Sequence, residues 1–295
     1  MDAITPRPFT YRSRDGLELY GQEWLPSGPV SGRPVACLPG VTRNSRDFAD
    51  LAGFLAGRGR RVVAFDFRGR GRSAHAAVET YTPLAEADDV GLGLDHLGIP
   101  EAALIGTSRG GLVIMTLAMT RPALLGAVVL NDIGPVIDKA GLARIAGYIG
   151  KPLPRSWPAA IADLKAGQGA LFPALDDAGW ERYARQIYRD EGGVPVIDYD
   201  PALEEAFKAF DPNAPLPDLW PAFDAMAKRE PVPVPMMVVH GALSDILAAT
   251  TVAEMQARHP ALVTCTVADE GHAPLLWDAA TQERIAAFLD GAERA

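Results

Sequence analysis

Cysteine is almost absent: two occur in 295 residues, Cys37 and Cys265. Each lies in a short apolar run that reads as a buried strand. Two such thiols make no disulfide framework and point to free cysteines in a reducing compartment. Positive charge is also short, with 28 Lys and Arg against 37 Asp and Glu and a net charge of −9. A surface of that sign is repelled by phosphate backbones, which argues against a nucleic-acid partner. Long apolar runs are missing. The stretch from Leu112 to Met119 is among the longest, far below the roughly 18 residues that span a bilayer, so no membrane span is expected. The residues Met1-Asp2-Ala3-Ile4-Thr5-Pro6 have no apolar core of a secretory signal, and a cytoplasmic protein is expected. No His/Cys cluster has metal-ligand spacing, so neither metal nor cofactor is expected.

What is abundant is glycine and proline, 29 and 25 residues, together about 18% where an average chain has near 12%. The excess has no period, which excludes collagen-like and repeat architectures. Apolar residues at 48% and charged residues at 22% are ordinary for a globular chain and exclude intrinsic disorder.

The apolar pattern is that of alternating strands and helices. Residues 9–13 and 17–25 alternate around Asp15-Gly16, a hairpin signal. Short buried-strand runs follow at Val35–Leu38, Val62–Phe65, Ala102–Ile105, Ala127–Leu130, Met236–His240 and Val263–Val267. Helical spacing lies between them over 44–58, 83–97, 109–119 and 248–258, and again over 278–289. Continuous Val/Ile/Leu strands interleaved with helices predict an α/β fold, a mostly parallel doubly wound sheet covered on both faces. Such sheets bind ligands at the carboxyl ends of their strands. Residues 136–230 break the alternation. They carry no clear buried strand but hold several prolines and the aromatics Trp157, Trp180, Tyr183, Tyr188, Tyr199, Phe207, Phe210 and Trp220. They predict a helical cap over the sheet's active edge, inserted between core segments 1–135 and 231–295.

Ser108 lies in Gly106-Thr107-Ser108-Arg109-Gly110, after a strand and before a helix. Small residues two before and two after let strand and helix approach, so a tight turn can present the hydroxyl. A serine needs a base to become a nucleophile. Of the five histidines, His272 sits in a Gly- and Pro-punctuated loop after the last strand, where it can reach across the sheet edge. The base needs an acid to hold its tautomer. Asp245, in the loop after Met236–His240, is the favoured acid; Asp132, after Ala127–Leu130, competes with it. The order Ser108, Asp245, His272 is that of nucleophile-elbow enzymes. A developing oxyanion needs two backbone N–H donors. Arg109, following the nucleophile, supplies one. Pro39 has no N–H and Gly40 lets the chain pass close, so Val41 supplies the other.

Together Leu38-Pro39-Gly40-Val41, the run Asp66 to Ser73, Gly106 to Gly111, Gly241 to Asp245 and Gly271-His272 resemble the α/β-hydrolase fold superfamily over residues from about 10 to 290. The resemblance implies Ser108 as nucleophile, His272 as base, Asp245 as acid, and Val41 and Arg109 as oxyanion donors. Many relatives have His-Gly where this chain has Pro39-Gly40. The expected activity is cleavage of a small carboxylic ester or lactone through an acyl-enzyme. The alternatives are C–C bond hydrolysis of a diketo or dienoate acid, acyl transfer, and a non-catalytic ligand receptor. Arg43 and Gly40 are candidate substrate-binding residues. A small-molecule substrate is the expected partner, and a homodimer is left open. Gly69-Arg70-Gly71-Arg72-Ser73-Ala74 also fits a dinucleotide fingerprint, but it does not lie in the first strand–helix unit where that motif belongs.

Overall fold

The computed structural model describes residues 4–208 and 214–294; Phe210 and Met1–Ala3 lie outside them. The chain opens with strands β1 (Arg7–Arg12) and β2 (Glu18–Trp24), then β3 (Val35–Leu38), helix α1 (Ala49–Gly57), β4 (Val62–Asp66), α2 (Pro83–His96), β5 (Ala102–Thr107), α3 (Arg109–Thr120) and β6 (Leu125–Asn131). Helices α4 (Lys139–Ala146), α5 (Trp157–Gln168) and α6 (Asp177–Ile187) follow, then strands β7 (Tyr188–Glu191) and β8 (Val194–Ile197), and helices α7 (Leu203–Lys208) and α8 (Trp220–Ala227). The chain closes with β9 (Met236–Gly241), α9 (Ala249–Arg258), β10 (Val263–Val267) and α10 (Ala279–Ala292).

Eight strands form one sheet in the order β1-β2-β4-β3-β5-β6-β9-β10. The β1–β2 and β2–β4 pairings are antiparallel, and the rest are parallel. The expected doubly wound sheet is therefore present. Strands β3, β4, β6 and β9 are buried along their full length, because helices cover both faces. One face packs Leu38, Phe65, Leu104 and Leu130 under α2, α3 and α8. The other packs Cys37, Ala64, Ile105 and Val239 under α1 and α10.

Between β6 and β9 the chain leaves the sheet, and a small separate core forms around Phe172, Trp180, Tyr183 and Tyr188. The helical excursion expected over 136–230 also contains a hairpin that its sequence did not announce, β7 paired antiparallel with β8. Both are four residues long, β7 carries three charges and β8 holds Pro195, so neither shows a strand's apolar pattern. Helix α8 does not join that small core; Phe223 and Met226 pack into the main core. Among the described residues no helix is long and apolar enough to cross a membrane.

Candidate active site

Parallel strands deliver their carboxyl ends to one edge, and the site is built there. Ser108 forms the turn between β5 and α3 and takes φ 51°, a left-handed conformation that costs a non-glycine residue on the order of 1–3 kcal/mol. The flanking glycines make it feasible. A Cβ on Gly106 would lie 2.5 Å from the Gly110 carbonyl carbon, and one on Gly110 would lie 2.1 Å from the Leu38 oxygen. Any side chain there would push α3 off the sheet. The Ser108 amide donates to the Asn131 carbonyl at 3.1 Å, which ties the turn to the end of β6.

His272 is buried in the loop between β10 and α10. Its Nε2 lies 2.8 Å from Ser108 Oγ, and its Nδ1 lies 2.8 Å from Asp132 Oδ2. The acid in contact with the base is thus Asp132, not Asp245. Asp132 is fully buried and adopts φ 55° directly after β6. Its Oδ1 accepts the Gly241 amide at 2.8 Å, and its Oδ2 accepts the Ser244 hydroxyl at 2.5 Å. The carboxylate is therefore fixed from several sides and presented to the imidazole. Asp245 fails to reach because Arg144 of α4 holds it through both oxygens, at 2.5 and 2.9 Å. Burial disfavours the charge on Asp245, but the bonds and charge of Arg144 hold its carboxyl below the ordinary range.

Gly40 and Val41 follow β3 and line the same space as Ser108 and His272. The Val41 amide finds no main-chain acceptor among the described residues, and neither does that of Arg109 at the N-terminus of α3. Two unspent donors beside a hydroxyl, one at the positive end of a helix, suit a developing negative oxygen. Arg43 lines the cavity too, but Asp47 grips its guanidinium at 2.6 and 2.8 Å. The guanidinium lies 5.0 Å from the Tyr183 ring centroid. The Arg109 side chain turns away to Glu86 at 2.6 Å. Neither charge is left for a substrate carboxylate.

The cavity has a volume of about 580 Å³, within the usual range for small-molecule sites. The core supplies Ser108, His272, Gly40 and Val41; the excursion supplies Tyr148, Leu164, Tyr183, Tyr188, Ile197 and Tyr199. Burial pushes the Tyr183 hydroxyl up to about 12, so it stays a neutral wall. The Gly69–Ala74 stretch offers no phosphate cradle. A Cβ on Gly71 would meet Asp66 Oδ2 at 2.2 Å, and that carboxylate already accepts the amides of Ser45 and Arg72. The described residues contain no group of three or more His, Cys, Asp or Glu side chains arranged to hold a metal.

A hydroxyl, an imidazole and a buried carboxylate in series, at the carboxyl edge of a parallel sheet, define a serine-hydrolase type of centre. Comparison with known proteins agrees. The sequence profile described as alpha/beta hydrolase fold matches residues 33–287, and the chain belongs to that family and is a hydrolase. The 3-hydroxybutyrate-oligomer hydrolase of Cupriavidus necator is 32% identical over 279 residues, 92% of each chain. The crystal structure of an alpha/beta hydrolase from Novosphingobium aromaticivorans is 39% identical with a TM-score of 0.88, over 97% of this chain and 99% of that one. A hydrolase structure from Rickettsia typhi, 23% identical over 98% and 99% of the two chains, has a TM-score of 0.81 and shares the fold.

Proposed function

We propose that this protein hydrolyses small carboxylic esters through an acyl-enzyme, with short oligoesters of hydroxy acids as the first candidate substrates. The observation that carries the reaction type is the continuous relay from Ser108 Oγ through His272 to Asp132, 2.8 Å at each step. The substrate class draws support from the 3-hydroxybutyrate-oligomer hydrolase, similar over 92% of the chain.

Ser108 Oγ attacks the ester carbonyl as His272 Nε2 takes its proton. The Nδ1–H of the imidazolium donates to Asp132, which stabilises the positive ring without taking the proton. The amides of Val41 and Arg109 receive the tetrahedral oxyanion. His272 then returns the proton to the departing alcohol, leaving the acyl group on Ser108. Water, deprotonated by His272, releases the acid by the same steps in reverse order. The tyrosine-lined excursion over residues 136–230 acts as the cap that shapes the acyl and alcohol pockets. C–C hydrolysis would call for a cation to hold a substrate carboxylate; Asp47 and Glu86 already answer Arg43 and Arg109, so that reading would have to use Lys151 in the cavity wall. Acyl transfer uses the same centre; the partition of the acyl group between water and an added alcohol measures it.

A fluorophosphonate should label Ser108, read by peptide mapping. Ser108→Ala and His272→Ala should each lose at least roughly 10³-fold in kcat on p-nitrophenyl acetate. An adduct elsewhere, with unchanged hydrolysis in both variants, would sink the mechanism. A screen of hydroxy-acid dimers and trimers against simple esters, lactones and diketones then tests the substrate class.

A further inference from the structure

Beneath the site, two arginines share one carboxylate in the protein interior. Arg70 is 1% exposed and Glu86 is fully buried. Glu86 Oε2 accepts from Arg109 Nε at 2.6 Å, and Glu86 Oε1 lies 3.1 Å from Arg70 Nη1. Arg70 also donates through Nε to the Val41 carbonyl at 2.8 Å and through Nη1 to the Arg68 carbonyl at 2.6 Å. Arg109 Nη2 donates to the Tyr81 carbonyl at 2.8 Å. Followed along its bonds, the network runs Val41–Arg70–Glu86–Arg109. Its two ends are Val41, which lines the cavity, and Arg109, next to Ser108, whose amides have no main-chain acceptor among the described residues.

Stability alone accounts poorly for such a network. Desolvating three charges costs several kcal/mol per ion, and apolar replacements of similar shape are often as stable. Position is what it supplies. The β3–β5 ladder pairs Leu38 with Gly106 and ends there, three residues short of each amide, so the loop at Val41 and the turn into α3 set the last part of their spacing. A donor displaced by even a fraction of an ångström loses much of its effect on an oxyanion.

We infer that Arg70 and Glu86 are positioning residues: with the Arg109 side chain they form a buried strut that fixes the distance and aim of the Val41 and Arg109 amides. The strut rests on the acyl-enzyme reading, because it acts only if those amides bind an oxyanion. It touches no substrate, and its effect appears in the transition state rather than in ground-state binding.

The test uses full-length Arg70→Met, Arg109→Met, Arg109→Lys and Glu86→Gln on p-nitrophenyl butyrate, with near-UV circular dichroism as the folding check. Arg109→Met and Arg70→Met should each lower kcat about tenfold with KM within about twofold. Inhibition by an alkylboronic acid, whose tetrahedral adduct occupies the oxyanion position, should weaken by the same factor. Arg109→Lys, which keeps a charge for Glu86, should recover part of the loss. Glu86→Gln should lose most; should it fail to fold, the two Arg109 variants decide. Folded variants with wild-type kcat, or a loss confined to KM, overturn the strut while leaving Ser108 chemistry intact. A wild-type protein that takes no fluorophosphonate on Ser108 and cleaves no ester removes both.

Discussion

Two carboxylates lie near His272, and local bonding decides which one serves it. Asp132 faces Nδ1 with Gly241 and Ser244 behind it. Asp245 feels the same imidazole through space but spends its oxygens on Arg144. Asp132→Asn should therefore reduce kcat by about 10³- to 10⁴-fold, because an amide favours the wrong tautomer of the base. Asp245→Asn should stay within a few-fold of wild type on a small ester, since it breaks a partly exposed ion pair. Steady-state kinetics on the two variants checks this, and the reverse ranking would return the role to Asp245. Ser108 and His272 were legible in the sequence because Gly106, Gly110, Gly271 and Pro274 mark tight turns, which local sequence encodes. The choice between the acids was not. Both follow strands onto the same sheet edge, and the answer rests on Ser244 and Arg144, contacts 112 and 101 residues apart.

The loop from β10 to α10 carries the base, and one side chain closes it. The Glu270 carboxylate accepts the Leu275 amide at 2.8 Å, bracketing His272. The Glu270 carbonyl accepts from Leu243 at 3.0 Å, and Gly271 donates to Leu171 of the excursion at 2.7 Å. Burial pushes Glu270 up to about 7, the Leu275 amide works the other way, and Asp278 adds a little upward. The native state then holds this proton more tightly than the unfolded chain does. The stabilisation from this group is fully present below the ordinary glutamate range and is lost as pH rises through about 7. Glu270→Gln removes the titration and keeps an acceptor for Leu275. Its melting temperature relative to wild type should climb by a few degrees between about pH 5 and about pH 8. Parallel melting curves across that range would contradict the assignment. This element was only half readable beforehand: the loop and its histidine follow from Gly and Pro, whereas a half-buried glutamate clasp leaves no periodic trace. The β7–β8 hairpin escaped for a related reason. β7 places Arg189, Asp190 and Glu191 in solvent, and β8 is a four-residue apolar run interrupted by Pro195, so no apolar alternation marks them.

At the scale of the molecule, one sheet carries both the stability and the catalytic edge, and its two buried cysteines stand at different places in the strand order. Cys37 lies in β3, paired with β4 at Ala64 and with β5 at Ile105, and is fully buried. Cys265 lies in β10, the last strand of the order, with β9 on one side. Burial raises both thiols, so neither is a ready thiolate in the native state. An edge strand opens by local fluctuation, whereas a strand between two ladders opens only with the sheet. Alkylation by iodoacetamide at rising urea, read by mass spectrometry, should therefore modify Cys265 at lower denaturant than Cys37. Cys37 should follow the global transition seen by circular dichroism. Labelling of Cys37 first would mean that the sheet parts at its centre, beside the β3 loop that carries Val41. Loss of activity would then precede loss of the edge. With Cys265 modified first, as expected, the strands from β3 to β9 should keep their geometry until the last cooperative step; but β10 leads into the loop of His272, so esterase activity should fall with Cys265 labelling rather than with Cys37.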